Sequence, residues 1–142
     1  MEDSLNIIID FKENEAISKI INENLKKYNE SIIGKYEAKP FIIYVQNDSS
    51  EICGGIKGDV FGPLCRVFTV WVHEEYRRKG LGRDLFATLE TFAKENNCTM
   101  IQLDTAEFQA KGFYEKLGYQ VIATLPDNFI GYTSYILRKK LM

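Results

Sequence analysis

The sequence predicts a single α/β (α+β) domain spanning residues 1–142, with one sheet built from short strands and helices set between them. Three observations predict it. Apolar spacing switches along the chain between alternation and a three-to-four-residue repeat, with no internal repeat, low-complexity segment or linker. The β-branched and aromatic run Val67-Phe68-Thr69-Val70-Trp71-Val72 passes through a basic glycine turn straight into a helical pattern. Strand-like segments also follow one another across turn residues alone, so the sheet contains hairpins as well as crossovers.

The elements follow in order. Leu5 to Phe11, with Ile7-Ile8-Ile9 at its centre, reads as a first strand. From about Lys12 to Ser31 the pattern is helical, because Ile17, Ile20, Ile21, Leu25 and Tyr28 share one face. Ile33-Gly34 marks a break into a helix and a short second turn. Pro40 bounds the next strand, Phe41 to Val45, and Asn47-Asp48-Ser49-Ser50 turns the chain so that Ile52 to Ile56 returns antiparallel. Gly54, Gly55 and Gly58 precede no helix and read as turn chemistry. Gly58-Asp59 and Gly62-Pro63 bound a second turn before the strand ending at Val72. Leu81, Leu85, Leu89 and Phe92, widened by Phe86 and Ala93, form the stripe of an amphipathic helix. Met100 to Asp104 is a strand, and the helix after it stops at Leu117 with Gly118 at the C′ position. Val121 to Thr124 and Tyr132 to Leu137 complete the sheet through a turn at Pro126-Asp127-Asn128.

The segment Arg77-Arg78-Lys79-Gly80-Leu81-Gly82 is the most informative in the chain. Gly80 and Gly82 let the backbone turn tightly and bring amides against a ligand. Those amides open a helix, where unpaired donors and the helix dipole favour an anion, and Arg83 adds further positive charge. The alternative is a solvated basic turn; the strand–loop–helix order favours anion binding. No G-x-x-x-x-G-K-[ST] and no G-x-G-x-x-G with a following acidic residue is present, which excludes the common nucleotide and dinucleotide loops.

Composition narrows the classes further. A formal net charge of −2 argues against a nucleic-acid binder working by bulk electrostatics. Met1-Glu2-Asp3-Ser4 is neither a basic leader nor an apolar one, and no apolar run is long enough to span a membrane. Cys53, Cys65 and Cys98 form no C-x-x-C pair, and His73 is the one histidine, so no metal site is expected and the thiols read as free in a reducing cytoplasm.

The chain resembles the GNAT superfamily of acyl-CoA-dependent N-acetyltransferases, in its compact single-domain bacterial form. The family loop Q/R-x-x-G-x-G/A is matched by Arg77, Gly80 and Gly82. The later F-Y-x-x-x-G-F/Y signature is matched by Phe113-Tyr114-Glu115-Lys116-Leu117-Gly118-Tyr119. The resemblance is strong from Cys65 to Tyr119 and rests on strand order outside it. It implies a mixed sheet of about six to seven strands, splayed where acetyl-CoA enters as cosubstrate. It also implies that Val70, Trp71 and Val72 run beside the cofactor, with the amides of Val70 and Val72 receiving thioester and pantetheine, and that Arg77 to Arg83 (Arg78, Lys79 and Leu81 included) hold the pyrophosphate. Tyr114 falls where relatives place the tyrosine that protonates the leaving thiolate or positions the cofactor.

A general base is less clearly marked. Relatives often carry a glutamate on the strand before the loop, where this chain has Arg66 and Thr69. Asp104 is the carboxylate best placed for the role, although it could instead cap the next segment through the amides of Thr105 and Ala106. Glu107, at a position where many relatives have asparagine, is the second candidate, and a water chain the third. His73, beside Glu74-Glu75, reads as a solvated histidine. By resemblance the acceptor groove lies between about Asn24–Tyr36 and Leu125–Gly131, neither of which carries a dense acidic cluster, so the amine stays unassigned between small molecule and protein. The expected activity is transfer of acetyl to a primary amine by direct attack in a ternary complex. The rival readings are an idle acyl-CoA-binding module and a protein lysine or N-terminal acetyltransferase. Edge strands at the C-terminal end leave room for a homodimer, and Arg138-Lys139-Lys140 reads as an ordinary charged end.

Overall fold

The computed structural model describes residues 4–142, so the reading of Met1-Glu2-Asp3 as no leader lies outside the described residues. The chain divides into residues 1–36 and residues 37–142.

In the first unit, 5–11 takes no regular secondary structure and joins no ladder, contrary to the strand expected there. Isoleucine-rich sequence favours a strand only when a neighbouring strand accepts it, and propensity cannot name that neighbour. The helix is real and unbroken: α1 runs Glu15–Ile33, with Asn14 capping it by accepting a hydrogen bond from the Ile17 amide. Gly34, at φ 86°, ends it by donating to the Glu30 carbonyl, and no second helical turn follows.

The second unit is a six-stranded mixed sheet with helices. Its strands are β1 (Ala38–Gln46), β2 (Ile52–Phe61), β3 (Leu64–Val72), β4 (Met100–Ala106), β5 (Gln120–Phe129) and β6 (Tyr132–Lys140), in the spatial order β1-β2-β3-β4-β6-β5. Every neighbouring pair is antiparallel except β3 and β4, which are parallel and therefore need the crossover helix α2 (Leu81–Glu95). The C-terminal strand β6 lies inside the sheet, so the edges are β1 and β5 and not the end of the chain.

The turns decide the registers. At β1–β2 the Asn47 side chain accepts from the amides of Ser49 and Glu51, as its turn chemistry requires. At β2–β3 the turn is Gly62-Pro63 alone; Gly58-Asp59 is no turn but strand, and Gly58 sits at a bulge. At β5–β6 the chain reverses at Ile130-Gly131, whose φ values of 45° and 86° fit a two-residue hairpin of the primed type. Pro126-Asp127-Asn128, expected to turn, is instead an irregularity within β5, between Leu125 opposite Ser134 and Phe129 opposite Tyr132. Proline has no amide to give a ladder, so it is tolerated at such a slip on an edge strand.

The core lies between the sheet and α2. Leu85, Phe86, Leu89 and Ala93 are buried against Ile56, Val67, Ile101, Leu103 and Leu137. Full burial of each large apolar side chain stabilises the fold by about 1.5–3 kcal/mol. The short helix α3 (Lys111–Lys116) ends in a Schellman arrangement: Gly118, at φ 96°, donates to Glu115 and Tyr119 donates to Tyr114. No helix among the described residues is long and apolar enough to cross a membrane.

Candidate active site

The sheet opens at its parallel seam. Residues Leu64 to Val67 of β3 face Met100 to Leu103 of β4, and the ladder stops there. Beyond it β3 stays with β2 as far as Val72, while β4 stays with β6 as far as Ala106. A wedge therefore separates the second halves of β3 and β4. Amide direction along β3 follows from one bond: His73 donates to the Cys53 carbonyl of β2 at 2.8 Å. Because amides alternate along a strand, Thr69 and Trp71 also turn toward β2, whereas Val70 and Val72 turn into the wedge. The Trp71 side chain is half-exposed and meets His73 edge-on at 5.9 Å.

The basic loop continues from this strand. His73 caps the short helical turn Glu74–Tyr76, its Nδ1 accepting from the Glu75 amide at 3.1 Å. Arg77 reaches back, Nε donating to the Val72 carbonyl at 3.0 Å, which ties loop to strand. Lys79 stands over the Tyr76 ring at 5.8 Å. Arg78 at φ 64° and Gly80 at φ 82° both take left-handed backbone, so the chain coils directly into Leu81. No side chain caps α2, and its first backbone bond runs from Asp84 to Gly80. The amides of Leu81, Gly82 and Arg83 are thus left as donors at the positive end of the helix. Gly82 packs closely, since a Cβ there would stand 3.2 Å from the Phe113 ring.

Tyr114 lies close enough to Asp104 to feel its charge. Tyr114 is buried among Phe86, Phe113 and Tyr119, with ring centroids 5.3, 5.4 and 6.0 Å away. Burial first, and the Asp104 carboxylate second, push its phenol up to about 12, so it is protonated at neutral pH. Asp104 is exposed on β4, just past the last β3–β4 pair, and lines a recess of about 170 Å³ with Arg66, Phe68, Gln102 and Ile136. It does not cap the next segment. Gln109 Oε1 takes the Ala106 amide at 2.6 Å and Thr105 Oγ1 takes the Ala110 amide at 3.3 Å. Glu107 is fastened elsewhere, its backbone donating to the Thr133 carbonyl and its carboxylate accepting from the Thr133 amide.

Two features near the wedge escape a reading of the sequence. Asp59 and Arg66 form a two-bonded ion pair across β2 and β3, both bonds at 2.7 Å. The available signal was their equal distance from Gly62-Pro63, hidden by assigning Gly58-Asp59 to a turn. Gln109 is the other, closing the loop after β4. Among the described residues no cluster of His, Cys, Asp and Glu is arranged to hold a metal, and the three cysteines are buried and unpaired.

Comparison with known proteins agrees with this geometry. Residues 9–119 match the acetyltransferase (GNAT) family. A blasticidin-S acetyltransferase of Streptomyces morookaense is 38% identical over 109 residues, covering 74% of this chain and 80% of the relative. The acetyltransferase Atu2258 of Agrobacterium fabrum (strain C58) is 28% identical over 119 residues, covering 84% and 86%. The crystal structure of an acetyltransferase from Bacillus cereus ATCC 14579 superposes with a TM-score of 0.82 at 28% identity, covering 94% of this chain and 98% of that one. The chain belongs to the acetyltransferase (GNAT) family and is an acyl-CoA-dependent acetyltransferase.

Proposed function

We propose that the protein moves acetyl from acetyl-CoA to the primary amine of a small molecule, by direct attack within a ternary complex. The observation that carries this reading is the continuity of the wedge with the uncapped start of α2. The amides of Val70 and Val72 open into the wedge, and the amides of Leu81, Gly82 and Arg83 follow at its end. Such a track suits a thioester and pantetheine along β3, with the pyrophosphate on the loop beside Arg77, Arg78, Lys79 and Arg83.

The chemistry divides among few groups. A β3 amide polarises the thioester oxygen and stabilises the oxyanion of the tetrahedral intermediate, a contribution of about two to three orders of magnitude for one well-placed donor. Asp104, exposed at the wedge, takes the proton of the attacking ammonium, directly or through water. Tyr114, protonated at neutral pH, gives its proton to the departing thiolate of coenzyme A. Glu107, held to Thr133, positions the β4 end of the wedge rather than acting as base.

The relative named for blasticidin-S favours a small-molecule acceptor over a protein one. The test is turnover of a panel of small amines and lysine peptides, followed by release of free thiol. Acetylation of small amines with peptides untouched is the expected result. Tight acetyl-CoA binding with no amine acetylated would replace it with an idle binding module.

A further inference from the structure

The opening of the sheet coincides with one extra residue in β3. Val67 faces Gly58 and Thr69 faces Lys57, which leaves Phe68 opposite no residue of β2. The same Val67 is the last residue of β3 paired with β4. One inserted residue matters because both side-chain face and amide direction repeat every two residues. Without the insertion, Thr69 would face Ile56 and Trp71 would face Gly54. The amides of Thr69 and Trp71 would then take the places now held by Val70 and Val72.

Something must hold that extra residue in place, since an uninterrupted ladder is the ordinary arrangement. Immediately before the bulge, Arg66 faces Asp59. Its Nε and Nη2 each donate to one Asp59 oxygen at 2.7 Å, and Asp59 is 8% exposed. The guanidinium stacks over the Phe61 ring at 4.2 Å and lies 5.5 Å from the ring of Phe68, the inserted residue itself. A planar fork fixed at two points tolerates little sliding along the strand. Backbone packing supports the same register: a Cβ on Gly58 would stand 2.0 Å from the Arg66 carbonyl oxygen.

We propose that the Asp59–Arg66 pair is a register lock, which holds the extra residue in β3 and so keeps the amides of Val70 and Val72, rather than those of Thr69 and Trp71, turned into the wedge. These are positioning residues, acting through the backbone of β3. The inference rests on the reading that those amides receive the thioester, and the experiment separates the two.

Amide exchange measured by NMR on the cofactor-free protein should show Thr69 and Trp71 protected and Val70 and Val72 fast. In Arg66→Met and Asp59→Asn the lock predicts that this pattern inverts or collapses. It further predicts that kcat falls by about two orders of magnitude while KM for acetyl-CoA moves by less than about threefold, because the loop still holds the pyrophosphate. Arg66→Lys keeps the charge but not the fork and should fall between. Should Arg66→Met fail to fold, Asp59→Asn and Arg66→Lys carry the same readouts. Variants that lose only melting temperature, with exchange pattern and kcat unchanged, overturn the lock. If the wild-type protein acetylates no amine, the acetyltransferase mechanism fails on its own, and the exchange pattern alone still decides the lock.

Discussion

Tyr114 serves the fold through its buried ring and, in the proposed mechanism, the reaction through its hydroxyl. Its ring packs in the aromatic cluster around Phe86, and its hydroxyl is pushed up to about 12 by burial and by Asp104. Tyr114→Phe keeps the packing and removes the proton, so kcat should fall by about two orders of magnitude with little change in stability. Steady-state rates beside urea denaturation check this. The raised groups also set the alkaline limit of the fold. Cys65, held up to about 12 by burial, by Cys98 and by Asp59, stays protonated in the folded state where its unfolded counterpart, with an ordinary value of 9.0, ionises. Folded values above unfolded ones mean that this stability is fully present below pH 9 and is lost as pH rises toward about 12; Tyr114 adds to the loss from its ordinary value of 10.0 upward. Urea midpoints across this range should fall with rising pH, and Cys65→Ala should reduce the earliest part of the fall, to which the Cys98 thiol, also raised by burial, contributes as well.

At the scale of elements, the β2–β3 hairpin makes the sharpest demand on a single residue. Gly58→Ala brings a methyl group against the Arg66 carbonyl, and the backbone cannot retreat without undoing the bulge. Overpacking of this kind costs about 1–3 kcal/mol, so the expected result is a lowered urea midpoint together with weakened turnover. A variant of wild-type stability would contradict the bulge. The same hairpin explains what the sequence could and could not reveal. The strand ending at Val72, the loop through Gly80 and Gly82, the stripe of α2 and the Gly118 cap were legible because each is local: β-branched residues, a left-handed glycine, a three-to-four repeat. Gly58 was misread as a turn because a bulge glycine and a turn glycine look alike until the partner strand is known. Pro126-Asp127-Asn128 misled for the same reason, and Ile130 gave no warning of its positive φ. Leu5 to Phe11 failed differently, since a strand needs a partner that no local pattern names. Near the wedge, the positions of Tyr114 on α3 and Asp104 on β4 were legible through motif and strand end, whereas the Asp59–Arg66 pair depended on register.

At the scale of the molecule, the wedge follows from topology. β1, β2 and β3 form one antiparallel meander, and β4, β6 and β5 form another antiparallel group. The two are joined along the short parallel ladder from Leu64 to Val67, so the sheet parts where that ladder ends. The crossover helix α2 must start at the open end, which delivers its unpaired amides and the basic loop to the mouth of the wedge. A chain with a net charge of −2 thereby concentrates four cations, Arg77, Arg78, Lys79 and Arg83, where a pyrophosphate would lie. The central claim is that this mouth holds acetyl-CoA. Calorimetric titration of the cofactor-free protein, wild type beside Gly82→Glu, tests it most directly. Binding on the order of micromolar is expected for the wild type, and none for a variant whose carboxylate repels the pyrophosphate at the helix start. Equal binding by both proteins, or none by the wild type, would contradict it.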